Sequence, residues 1–143
     1  MNVIERYAEH LSNLTMDFDL FSPDLVEICP GEGLLDIKKY KESLRNWFCF
    51  FEKILIKNVV CKSLKFENLK GLQGVVWLEI YHKVNQGEAK IDVIHVLKTD
   101  ENEKILVINS FWTLSQYVAL VKEHPELQAR PFKPLTERIA DFC

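Results

Sequence analysis

A chain of 143 residues, 48% of them hydrophobic, has the size of one domain and enough apolar residues for a single core. Its 18 basic and 21 acidic residues leave a net charge of -3, which gives no electrostatic footprint for nucleic acid. No apolar run approaches the roughly 18 residues of a membrane span, and the stretch after Met1 lacks the apolar segment of a secretory signal, so the cytoplasm is the expected compartment.

Val3, Ile4, Tyr7, Ala8, Leu11 and Leu14 recur at helical spacing between charged residues, which predicts an opening amphipathic helix. Ser22-Pro23-Asp24 resembles an N-cap with proline in the first turn and predicts a short helical piece ending at Cys29-Pro30-Gly31-Glu32-Gly33. Asp36 then caps a further helix, whose apolar stripe is Ile37, Tyr40, Leu44, Trp47, Phe48 and Phe51.

From Val59 the period changes to two and predicts a strand. Val76 to Leu97 reads as a hairpin around Gln86-Gly87, pairing Val84 with Ala89, His82 with Ile91, Ile80 with Val93, Leu78 with His95 and Val76 with Leu97. Those ten side chains share one largely apolar face. Trp77, Glu79, Tyr81, Lys83, Lys90, Asp92, Ile94 and Val96 form the other. Turn residues Thr99 to Glu103 lead to a last strand, Lys104 to Thr113. Its register stays open, because a one-residue slip exchanges Val107 and Asn109 for Ile108 and Ser110 on the inner face. Ser115 can cap a helix containing Tyr117, Leu120 and Val121, stopped near Pro125; a proline-broken connection then leads to a final turn of helix through Ile139. Cys29, Cys49, Cys61 and Cys143 lack metal-ligand spacing, so neither a metal nor another cofactor is expected.

Helices first and strands second predict an α+β domain, with a cone-shaped curved antiparallel meander and the N-terminal helices on its concave face. The expected division is a domain over residues 1–114 and a C-terminal helical extension over 115–143, packed on the domain or on a partner subunit.

Three segments in this order carry a resemblance: Glu5-Arg6-Tyr7-Ala8, then Asp24 to Gly31 leading into Asp36-Ile37-Lys38-Lys39-Tyr40, then Asn109-Ser110-Phe111-Trp112. Over Val3 to Trp112 the chain resembles the nuclear transport factor 2-like superfamily, which includes ketosteroid-isomerase-like and SnoaL-like proteins. In the isomerase branch a first-helix tyrosine and a protonated strand aspartate donate hydrogen bonds to the reacting oxygen, and an aspartate before the loop proline is the base. By this resemblance Tyr7 takes the tyrosine position, Cys29 that of the base, and His95 falls near the second acid. A thiol where the base should be argues against a carbon-acid isomerase.

His95 and His82 share the inner face, where imidazole can act as acid or base, or can be hydrogen-bonded in a core. His82, nearer the turn, is expected closer to solvent, and the two are too far apart along the hairpin to share a metal. The expected site is an apolar pocket lined by Tyr7, Cys29, Trp47, Phe51, Leu78 and His95. It would take a small hydrophobic or amphipathic molecule; if catalytic, it would use His95 as acid or base and Tyr7 as donor in isomerase, dehydratase or cyclase chemistry. The alternative is a non-catalytic interaction or homodimerisation module with Trp77 and Tyr81 as interface anchors on the outer sheet face, unless the C-terminal tail covers them.

Overall fold

Helix α1 (Val3–Ser12) is started by a reciprocal cap, in which the Asn2 side chain accepts from the Glu5 N–H and the Glu5 carboxylate accepts from the Asn2 N–H, both at 2.9 Å. Its buried stripe is Val3, Ile4, Tyr7, Ala8 and Leu11. The structure, a computed structural model, describes residues 1–66 and 69–129.

The segment after α1 corrects the sequence expectation. Phe21–Cys29 is not a helical piece but strand β1, in which Leu25 and Glu27 are buried while Val26 and Ile28 face out. Ser22 Oγ accepts from the Asp24 N–H at 3.1 Å, the same local bond a helix cap would make. Here it lies in an irregular stretch between Phe21 and Val26, where Pro23 costs no ladder bond. Strand β2 (Gly33–Leu35) pairs back antiparallel on β1. Gly31 and Gly33 take φ of 82° and 81° at that turn, a region open to glycine.

Asp36 accepts from the Lys39 N–H at 2.8 Å and caps α2 (Ile37–Phe50). The helix stops one residue short of Phe51, which has extended backbone and opens strand β3 (Phe51–Phe66), so this strand begins well before Val59. Strands β4 (Leu69–His82), β5 (Ala89–Thr99) and β6 (Ile105–Phe111) follow. The six-stranded sheet has the order β2-β1-β6-β5-β4-β3, and β1 runs parallel to β6 beside the antiparallel meander of β3 to β6.

The hairpin pairs His82 with Ala89, Ile80 with Ile91, Leu78 with Val93 and Val76 with His95, a two-residue offset from the pairing expected. The Lys83 N–H donates to the Phe50 carbonyl at 2.8 Å, which draws the end of β4 away from β5 and lengthens the connection. An offset of two preserves the faces, so His82, Leu78, Val76, Ala89, Ile91, Val93 and Leu97 are all buried. In β6, His95 pairs with Ser110 and Leu97 with Ile108, which puts Ile108 and Ser110 on the inner face.

Helix α3 (Leu114–Glu123) is capped by Thr113 rather than Ser115, with Gln116 reciprocating, and ends at His124 before a 3-10 turn over Pro125–Ala129. The expected proline-broken connection and final turn through Ile139 lie outside the described residues. Tyr117 and Leu127 of this segment are buried, so its described part packs against the domain's own core. Among the described residues no helix is long and apolar enough to cross a membrane.

Candidate functional site

A cavity of about 90 Å³ lies between the three helices and the inner face of the sheet. Helix α1 contributes Tyr7 and Leu11; β1 contributes Glu27 and Cys29; α2 contributes Tyr40, Leu44, Trp47 and Phe48. The sheet adds Phe51, Ile54, Leu78, Ile80, His82, Ile91, Val93, His95 and Ser110, and Trp112 and Tyr117 complete the lining. The structure therefore brings Tyr7, Cys29, Trp47, Phe51, Leu78 and His95 to one cavity. Among the described residues its walls carry no lysine or arginine.

The Tyr7 hydroxyl and His95 Nδ1 are hydrogen-bonded at 2.8 Å across the space between α1 and β5. Burial, with the nearby Glu27 carboxyl, pushes the Tyr7 hydroxyl far up, so it stays protonated. Burial pulls His95 down to about 4, so its ring is neutral near neutral pH instead of titrating there. A protonated phenol donating to Nδ1 leaves the ring proton on Nε2, and His95 is assigned as a hydrogen-bond donor through that atom.

His82 is not near solvent. It is 4% exposed, with the rings of Phe51, Trp47 and Tyr117 around it at centroid distances of 5.1, 6.3 and 5.9 Å. The expected position failed because α3 folds over that end of the hairpin, which no local pattern in β4 records.

The site residue that sequence reasoning missed is Glu27. It is buried beside Cys29 in β1, and its Oε2 has no hydrogen-bond partner among the described residues. Burial, then the charge of Glu32, raise its carboxyl to about 8, and a bond from the Cys29 thiol only partly offsets this. Glu32 is held in place from α2, accepting from Trp47 Nε1 at 2.9 Å and from Ser43 Oγ at 2.9 and 3.2 Å. Tyr40 closes the cluster, its hydroxyl also pushed well up by burial and by Tyr7 and Glu27. The signal was present in the sequence. Read as a strand, Leu25, Glu27 and Cys29 share one face; read as a helix, as the Ser22-Pro23-Asp24 cap invited, they do not.

Cys29 itself is no nucleophile in this setting. Burial and the two neighbouring carboxyls, Glu27 and Glu32, push its thiol well up, and the Trp112 side chain hydrogen-bonds it.

Trp77 lies on the outer face and is 44% exposed. The Tyr81 hydroxyl donates to Glu79 at 3.0 Å and Lys53 Nζ sits 4.5 Å above its ring. Lys57 and Lys90 bracket Glu79 and, with Tyr81, hold its carboxyl down to about 2. Tyr81 is thereby tied into a charged corner of this face, while Trp77 sits between Asn58 of β3 and Ile94 of β5.

No protein-family model matches the chain, and no curated protein sequence does. Solved structures do match. PrhC from Penicillium brasilianum superposes with a TM-score of 0.67 at 14% identity, over 94% of this chain and 92% of that one. The BvnE pinacolase from Penicillium brevicompactum gives 0.60 at 14% identity, over 84% and 88%. A steroid delta-isomerase from Pseudomonas aeruginosa gives 0.57 at 15% identity, over 98% and 90%.

Proposed function

We propose that this chain, whose α+β curved sheet has the nuclear transport factor 2-like fold, binds a small, mainly apolar molecule in the cavity and moves a proton on it. The observation that carries this reading is Glu27, a buried carboxyl lining a mainly apolar cavity, whose Oε2 has no hydrogen-bond partner among the described residues. Burying such a group is costly and serves no packing purpose, whereas a carboxyl poised near 8 has the basicity that proton abstraction beside a carbonyl requires. In this reading Glu27, once ionised, takes the proton. His95, backed by Tyr7, donates through Nε2 to the oxygen on which negative charge develops. A lining that is apolar and without lysine or arginine among the described residues favours a neutral ligand bearing one such oxygen over an anion. Two of the fold neighbours are named as enzymes, an isomerase and a pinacolase, which agrees with a catalytic reading.

The test needs no knowledge of the natural substrate. Deuterium incorporation beside the carbonyl of small cyclic ketones, followed by NMR in D2O, is expected with the parent protein and to rise with pH toward about 8 as Glu27 ionises. Equal exchange by the parent and Glu27→Gln would remove the assignment.

A second copy on the outer sheet face is proposed alongside this reading; without the cavity chemistry, that face would make the chain a non-catalytic interaction module. Trp77, Ile94 and Phe111 form one exposed apolar row across β4, β5 and β6, and Val60, Val75 and Val96 form the next across β3, β4 and β5. Ile94→Asp, at the centre of the first row, is expected to convert a dimer to a monomer in light scattering without lowering monomer stability. A parent that is already monomeric would dismiss the homodimer.

A further inference from the structure

Among the described residues, helix α3 adds one side chain, Tyr117, to the cavity lining, where it packs against Trp47 and Trp112. Tyr117 of α3 is 1% exposed, and its ring centre lies 6.2 Å from Trp47, 5.9 Å from His82 and 6.2 Å from Trp112. His82 pairs with Ala89 at the end of β4, while His95 pairs with Val76 farther along the same strand. Tyr117 thus fills the end away from the Tyr7 and His95 pair.

The helix that carries this ring is fixed at both ends. At its start the Thr113 side chain accepts from the Gln116 N–H and Gln116 reciprocates. Beyond its end, His124 Nε2 meets the Glu88 carbonyl at 3.2 Å and the Asn85 N–H donates to Glu126 at 3.0 Å, which ties the segment to the connection between β4 and β5. A ring anchored on a fixed helix and packed against Trp47, His82 and Trp112 stands in the way of an incoming chain of carbons.

We propose that Tyr117 sets the length of the molecule the cavity accepts, so that removing its ring extends the cavity beyond His82 into the space the ring fills. This rests on the reading of the cavity as the ligand site. Every further methylene buried in an apolar channel tightens binding about fourfold until the channel ends. The experiment is calorimetric titration of 4-n-alkylphenols from butyl to decyl into the full chain. With the parent, affinity is expected to stop rising at a short chain; with Tyr117→Ala it is expected to keep rising past that point. Tyr117→Phe retains the ring and should keep the parent's limit, and Tyr117→Leu serves if the alanine variant does not fold. A limit at the same length in a folded alanine or leucine variant overturns this proposal and leaves the ligand site standing. Failure of every alkylphenol to bind either protein overturns the ligand site and the proposal with it.

Discussion

Glu27→Gln is expected to stabilise the protein by about 2–5 kcal/mol at pH 8 and above, to change it little at pH 4.5, and to lower ketone proton exchange by roughly 10²–10⁴-fold. The sign follows from where the proton sits. In the unfolded chain Glu27 ionises at 4.5, but in the fold it holds its proton up to about 8. Between those values the folded state binds the extra proton, so stability falls as pH rises, by at most about 1.4 kcal/mol per pH unit. Glutamine keeps the shape and cannot titrate, so the difference between the two proteins opens from pH 4.5 and is complete at about 8. His95 acts in the opposite direction. Its ring is held neutral down to about 4 against 6.5 in the unfolded chain, so its contribution is present above 6.5 and lost as pH falls toward 4. The two slopes cancel between 4.5 and 6.5, and stability is expected to be flat there and to decline from 6.5 to about 8. Urea unfolding across this range checks both; a Glu27→Gln curve parallel to the parent's would refute the buried carboxyl. Gain of stability together with loss of exchange is the trade expected where a costly group is kept for chemistry.

Gly74→Val is expected to cost more than about 3 kcal/mol and to separate Tyr7 from His95, with Gly74→Ala intermediate at roughly 1–3 kcal/mol. A Cβ at Gly74 would stand 2.8 and 3.0 Å from two carbons of Ile4 and 3.0 Å from the Val60 carbonyl oxygen. Ile4 is fully buried and the carbonyl belongs to the β3–β4 ladder, so only α1 can move. Tyr7 lies one turn along the same helix, where lifting it loosens the 2.8 Å bond to His95. Denaturant unfolding gives the first effect and the ¹⁵N shift of His95 Nδ1 the second. Shortening the partner, as Ile4→Val with Gly74→Ala, should recover part of the loss, because the two side chains compete for one space. A Gly74→Val protein as stable as the parent would show that α1 does not seat there.

Much of the framework was legible because its signals are local. The stripe from Val3 to Leu11 and the Asp36 cap specified α1 and the start of α2, and the alternation of Val76 to Leu97 set which residues of the hairpin face inward, although its pairing was offset by two. The α1 and hairpin patterns placed Tyr7 and His95 on faces directed at a common interior, and the structure brings the two side chains into contact. Phe51 was misplaced because the change from helix to strand falls within one apolar run, where both periods fit.

What the sequence by itself determined is the set of faces, since backbone periodicity and caps are decided by neighbours within a few positions. What only the tertiary structure decided depends on distant partners. Phe21–Cys29 became a strand because β6 and β2 offer it ladder bonds, against a local cap signal. That choice turned Glu27 inward, which places a carboxyl beside Cys29, where the resemblance had called for a base. His82 was buried by α3, and Ser110 was chosen over Asn109 by the pairing of β6 with β5. The proposed chemistry rests on Glu27, whose ordinary carboxyl becomes unusual only once the fold removes it from water and sets Glu32 beside it.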